Sequence, residues 1–383
     1  MTYDVIVIGV GGMGSAAVYH LARRRAKVLG LEQFNIPHNL GSSHGTNRII
    51  RLAYAEGPQY VPLLRRAYEL WRELETGASE QLLFTTGSID AGLPLSSRIR
   101  GSLKSAEEHA ISYEYLEAES VNQRFPGYRL SPDMVAVYQH DGGFVLSERS
   151  IVAHVELAQE LGAEIHAQEP VVSWTDKDGG VRVTTTRGEY RANRLVITAG
   201  PWASTQIREL TEWAVPQRQV MLWTQPSHPQ NFRISIFPVF NIETPAGDFY
   251  GFPIYGTPGF KIGKYFHRKQ DIDDLSKMDR ECHLEDEEVL REGIRIYFPK
   301  ADGPTMAMTT CIFTNTPDRH FIIDRHRQSA NVSFAAGFSG HGYKFCSVVG
   351  EIMCELALDG ETQHDISCFR LERFGGSEQN SAP

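Results

Sequence analysis

Residues Asp4 to Ile8 read D-V-I-V-I, an apolar run rich in β-branched side chains that predicts a strand buried on both faces of a parallel sheet. Glycines follow at once, with Gly9, Gly11 and Gly14 in G-V-G-G-M-G. From Ser15 to Arg24 the apolar Ala16, Ala17, Leu21 and Ala22 recur at helical spacing, and arginines close the last turn, where the helix dipole favours cations. A second short apolar run, Lys27 to Leu31, ends on Glu32. Much later, Leu195 to Gly200, L-V-I-T-A-G, predicts a strand that ends in small residues before Pro201 and Trp202. Val332 to Gly342, V-S-F-A-A-G-F-S-G-H-G, predicts another strand and glycine turn, and Val348, Val349 and Ile352 then carry helical spacing. Glu285 to Glu288, E-D-E-E, with Val289, Leu290 and Ile294 predicts an amphipathic helix with a solvated face rather than a metal site.

The chain of 383 residues is long enough for two domains. Its formal net charge of -9 gives no global footing for a nucleic-acid backbone or an anionic membrane, so a small-molecule partner is expected. No apolar run approaches the roughly 20 residues that cross a bilayer. Five cysteines, an odd number without a C-x-x-C pair, suggest neither a disulfide framework nor a zinc site, and a reducing cytoplasm fits them. The small polar tail Gly375 to Pro383 is expected to be disordered.

Strand, glycine turn, helix and second strand ending on an acid is the order a dinucleotide-binding unit needs. Glycine serves a tight turn, close backbone approach to a pyrophosphate and close helix–strand contact, while free N–H groups face the anion. Glu32 can accept both ribose hydroxyls and repels a 2′-phosphate, which points to FAD or NAD and away from NADP. The segment Gly41 to Tyr54, G-S-S-H-G-T-N-R-I-I-R-L-A-Y, reads as a loop. By its chemistry alone it is either a solvated surface loop or the lining of a flavin edge and an anion site. The strand at Leu195 to Gly200 and the glycine turn before Tyr343 favour the flavin, since a helix N-terminus there would stabilise charge on a reduced ring.

In order and spacing, G-S-S-H-G-T-N-R-I-I-R, Y-G-F-P, the strand carrying Cys311, H-F-I-I-D and G-F-S-G-H-G-Y-K-F resemble the monomeric sarcosine oxidase and N-methyltryptophan oxidase family of FAD-dependent amine oxidases, over nearly the whole chain. The resemblance implies an α/β fold with a Rossmann-like, GR2-type flavoprotein domain and a catalytic domain on a largely antiparallel sheet. Residues 1–85, 140–215 and 305–383 are expected to form the FAD-binding part, and 86–139 and 216–304 the catalytic part. It also implies FAD held covalently through Cys311, with Gly9, Gly11, Gly14, Glu32, Ser42, Ser43, Gly200, Gly340, Gly342 and Lys344 around the cofactor. Arg51 and Lys344 would grip a substrate carboxylate by charge-assisted hydrogen bonds. Lys261 would assist oxygen, with Arg48 on the same side, and His44 and Tyr250 match residues near the flavin. His341, inside a glycine turn, is expected to pack near the cofactor rather than act as a base.

Three positions depart from the family pattern. A histidine is replaced by Tyr265, a methionine by Asn241 and a tyrosine by Phe313, while His267 lies close enough in sequence to restore an imidazole after a small loop shift. The resemblance implies a monomeric oxidase of sarcosine or another N-methyl amino acid that makes hydrogen peroxide from O2. A cyclic or glycated substrate, a non-oxygen acceptor, and a non-catalytic nucleotide-binding protein are the alternatives.

Overall fold

The computed structural model describes residues 2–177, 179–256 and 259–375. Beyond Gly375 the polar tail lies outside the described residues. The opening strand, Thr2–Ile8, is central to an eight-stranded sheet. It pairs in parallel with Val28–Leu31 on one side and with Glu189–Ile197 on the other, and Val332–Ala336 extends the parallel register beyond Leu195. Val5 and Val7 face one apolar cluster while Ile6 and Ile8 face a second, all between 0% and 4% exposed. Period-two alternation with both faces covered explains the unbroken apolar run, and each such side chain contributes roughly 1.5–3 kcal/mol on burial.

Helices Gly12–Arg23 and Cys346–Leu358 pack together on this sheet. Gly9 has φ +86°, and a Cβ on Gly14 would stand 1.8 Å from the Gly9 carbonyl oxygen, so this turn closes only with glycine at both places. Gly14→Ala is expected to push the helix off the strand, lowering stability by about 2–3 kcal/mol and reducing bound flavin. Thermal melts and the 450 to 280 nm absorbance ratio of purified protein check this; an unchanged melt and ratio would show that the turn has slack.

The second sheet has nine strands and is antiparallel except where Ser88–Gly92 meets Val239–Thr244. Its aromatic core joins Phe237, Phe240, Phe260 and Phe298, with Leu290 and Ile294 from helix Leu284–Tyr297. That helix is the one expected from E-D-E-E, but Asp286 is buried rather than solvated. It closes a capping box with His283 and accepts Arg218 Nη2 at 2.8 Å. Strand Thr305–Asn315 hydrogen-bonds along its length to Val215–Thr224 of this sheet. We therefore propose that the last cofactor-side segment begins near 316, not at 305, with the other expected boundaries kept. No helix among the described residues is long and apolar enough to cross a membrane.

Candidate active site

A continuous cleft runs from Glu32 past Gly9, Gly11 and Gly12 to Ser42, Gly200, Phe313 and Gly340. Glu32 is buried, and its carboxylate accepts Val10 N at 2.9 Å and Phe34 N at 3.0 Å, which fixes it at the end of the second strand. At Gly11 an added Cβ would find its nearest neighbour, Ser43 Oγ, at 3.8 Å, so the turn leaves room for a ligand against bare backbone. Ser43 Oγ accepts Gly12 N at 3.3 Å. Helices Gly12–Arg23 and Cys346–Leu358 carry no acid in the first turn, so both N-termini suit an anion. A Cβ added at Gly200 (φ +53°) would meet nothing within 4 Å, whereas one at Gly340 (φ +77°) would strike the Phe313 ring. Gly342 packs on Phe338 at the foot of the second glycine turn. An acid fixed for a ribose, a glycine cradle and two unopposed helix N-termini fit FAD.

The segment 41–54 is lining, not solvated loop: His44, Asn47 and Arg51 are 3%, 2% and 1% exposed, and Asn47–Ile50 is a strand paired with Gly143–Leu146. Glu148 holds it by accepting Gly45 N at 2.6 Å, and Lys261 grips its other side. Lys261 Nζ donates to Gly45 O at 2.7 Å and to Asn47 O and Oδ1 at 3.0 Å, under the Phe252 ring. Burial, and then Arg48, lower its pKa well below the usual lysine value. Arg48 donates to Ser42 O at 3.1 Å and lies 3.8 Å from Cys311 Sγ, which is itself buried 3.8 Å from Ser42 O. Burial and Arg48 lower His44 to about 3, so its imidazole is neutral, and its Nε2 has no partner among the described residues.

Arg51 and Lys344 converge on Tyr54. The guanidinium lies 4.7 Å from the Tyr54 ring centroid and the ammonium 5.0 Å from it, with Lys344 Nζ donating to Tyr54 Oη at 3.2 Å and to His341 O at 2.6 Å. Arg51 is not free: Nε donates to Asp90 and Nη2 to Glu56, each at 2.9 Å. Burial opposes its charge, yet those two carboxylates raise its pKa overall. Lys344 is lowered to about 7 by burial, then by Arg51. His341 is held by Tyr54 Oη and Arg319 O and lowered to about 4 by burial, in keeping with a packing role.

Tyr250 meets Tyr265 edge-to-face at 5.0 Å; the Tyr265 ring is 6.0 Å from Phe313 and its hydroxyl donates to Asn241 Oδ1 at 3.3 Å. The three departing positions thus form one wall. His267 does not restore an imidazole to it: the ring is buried with Nε2 on Asp286 at 3.1 Å, beside Arg218. Tyr54 closes the segment expected to line the site, whereas Asp90 and Glu56 were not foreseen from the sequence. Asp90 had a signal, a lone acid inside the strand S-I-D-A-G, where burial demands cationic partners.

Residues 4–356 match the DAO family, FAD dependent oxidoreductase. The chain belongs to this class of flavoenzymes. It is 42% identical to a monomeric sarcosine oxidase of Streptomyces avermitilis over 98% of this chain and 99% of that one. It is 35% identical to an N-methyl-L-tryptophan oxidase of Escherichia coli, with 98% and 100% covered. Within the class it is therefore a member of the monomeric sarcosine oxidase and N-methyltryptophan oxidase family of FAD-dependent amine oxidases. The fold is shared with NikD, an amino acid oxidase of nikkomycin biosynthesis, at a TM-score of 0.84, 26% identity and coverage of 96% of this chain and 97% of that one.

Proposed function

We propose that the chain oxidises a small secondary amino acid, an N-methyl amino acid in the first instance, at the carbon bonded to nitrogen. The observation that carries this is the pairing of Arg51 and Lys344 around Tyr54, two buried cations beside the wall of Tyr250, Tyr265 and Phe313. Two cations select amino acids over plain amines. FAD, when bound, would accept two electrons and a proton from the substrate, and O2 would take these together with a second proton, released as the oxidised substrate is hydrolysed, to give hydrogen peroxide. With an N-methyl amino acid the sum is substrate plus O2 plus water giving the parent amino acid, formaldehyde and hydrogen peroxide. Arg51 and Lys344 orient the carboxylate, the aromatic wall excludes water, and Lys261 with Arg48 provides positive charge for oxygen. We assign Cys311 as the thioether link to the flavin 8-methyl group, from its buried thiol at the cleft beside Ser42 and Arg48, two residues before Phe313. A monomer acting in the cytoplasm completes the proposal.

The experiment is the visible spectrum before and after acid precipitation, followed by anaerobic addition of sarcosine, N-methyl-L-alanine and pipecolate. Yellow colour is expected to stay in the pellet, to wash out of Cys311→Ser, and to bleach with an N-methyl amino acid. Wild-type colour in the supernatant removes the link; no bleaching by any of these amines removes the oxidase reading.

The charge on Lys344 gives a pH dependence with a definite sign. Below its pKa of about 7 both cations are present; above it the ammonium loses its proton and one anchor goes. The Kd of methoxyacetate, a carboxylate without an ionisable amine, is expected to rise by up to about tenfold per unit above neutral pH. Lys344→Gln should flatten that rise. Titrations followed by flavin absorbance across neutral pH check it, and a wild-type Kd that falls with pH would overturn the assignment.

A further inference from the structure

Behind the wall of Tyr265 and Asn241 stands a cation that the carboxylate-binding pair does not use. Arg98, near the start of helix Ser97–Glu108, is 8% exposed, and its Nε and Nη1 have no hydrogen-bond partner among the described residues. A guanidinium is always charged and has five donors, so burying it with two nitrogens unpaired is a standing demand for an acceptor. The nearest carboxylates do not meet it. Asp90 Oδ1 is 3.6 Å from Nη1 and Asp248 Oδ2 is 3.9 Å from Nη2. Asp90 is already engaged, with Oδ2 accepting Arg51 Nε and Ser102 Oγ and Oδ1 accepting Asn241 Nδ2.

The position of Arg98 links this demand to the substrate wall. Its guanidinium lies 5.9 Å from the Tyr265 ring centroid, and Asp90 faces Arg98 with one oxygen and Arg51 with the other. The two guanidinium groups are therefore one carboxylate apart, a gap that a short dicarboxylic acid spans. Two of the positions that depart from the sarcosine oxidase pattern border this bridge: Asn241 Nδ2 donates to Asp90 Oδ1, and Tyr265 lies beside Arg98. Arg51, Arg98 and Lys344 face Asp90, Glu56 and, 3.9 Å from Arg98, Asp248; Glu56, at 21% side-chain exposure against 0% for Asp90, is the acid able to yield its place on Arg51. One ligand carboxylate then takes the place of Glu56 on Arg51, and the second meets the unpaired Nε and Nη1 of Arg98.

We propose that Arg98 is a specificity-determining residue that binds a second carboxylate, so that the preferred substrate is an N-alkyl aminodicarboxylic acid. This deepens the reading of the site as one for a small secondary amino acid and rests on it. The α-carboxylate sits on Arg51 and Lys344, and the side-chain carboxylate on Arg98.

Binding and turnover are measured separately on the holoenzyme. Flavin difference spectra give Kd for succinate and glutarate against propionate and butyrate; steady-state rates compare N-methyl-L-aspartate and N-methyl-L-glutamate with N-methyl-L-alanine and N-methyl-L-asparagine. A dicarboxylate is expected to bind about tenfold or more tighter than its monocarboxylate partner, and the corresponding N-methyl substrate to exceed N-methyl-L-alanine in kcat/KM by a similar factor. Arg98→Met should erase both preferences and Arg98→Lys should restore part of them. Equal Kd values for the two acids, a preference for N-methyl-L-asparagine over N-methyl-L-aspartate, or equal loss on all ligands in Arg98→Met would overturn the proposal. Dicarboxylate-selective binding without oxidation of any N-methyl amino acid would leave Arg98 as assigned and remove the oxidase reading; oxidation without that selectivity would do the reverse.

Discussion

Lys261→Met is expected to slow reoxidation by O2 by about 10²–10³-fold while anaerobic bleaching by substrate stays within a few-fold of wild type. Lys261 is 1% exposed, and all three of its acceptors are neutral oxygens of Gly45 and Asn47. Arg48 opposes its charge and Glu148 supports it from behind the loop, so the ammonium lacks a direct counter-ion. The role we propose for this position is to stabilise negative charge developing on oxygen, and in a buried site such stabilisation is large because water does not screen it. Methionine keeps the volume and the Phe252 contact but removes the charge. Separate stopped-flow measurement of the two half-reactions decides the matter. Equal losses in both would place Lys261 in substrate binding instead.

Arg51→Met is expected to lower kcat/KM by about 10²–10³-fold, the loss that follows when one partner of a buried charge-assisted contact is truncated. Stability should fall as well, by about 3 kcal/mol, because Asp90 at 0% exposure loses its hydrogen-bonded cation and keeps only the more distant Arg98, at 3.6 Å. The two losses can be separated. Asp90→Asn added to Arg51→Met removes the stranded charge while keeping an acceptor for Ser102, so the double variant should regain stability but not activity. Thermal melts and kcat/KM on the four proteins of the cycle test this. Recovery of activity together with stability would show that Arg51 supports the fold and does not touch the substrate.

The strand at Asp4 to Ile8, the glycine turn and Glu32 were legible because they lie within one short stretch of chain, where periodicity and turn chemistry act locally. The second glycine turn was legible for the same reason. The segment 41–54 was not: its polar composition fits a surface loop as well as a buried one, and only the contacts of Glu148 and Lys261 with its backbone bury it. The pairing of strand Thr305–Asn315 with Val215–Thr224 was not legible, because a strand's sequence says which face is apolar but not which neighbour it pairs with. For His267, nearness in sequence to Tyr265 suggested a shared site, whereas its ring turns to Asp286 on another element.

By itself the sequence determined the class of fold, the nucleotide end of the cofactor site and, through family resemblance, the residues proposed to meet substrate and oxygen. The tertiary structure decided what those residues are worth. Arg51 is bound to Asp90 across 39 positions, Lys344 meets Tyr54 across 290, and Arg98 comes up behind Tyr265 with donors unpaired. The charge, pKa and free hydrogen-bonding capacity of a side chain depend on neighbours brought by folding and on the water they exclude, and no local pattern along the chain encodes either.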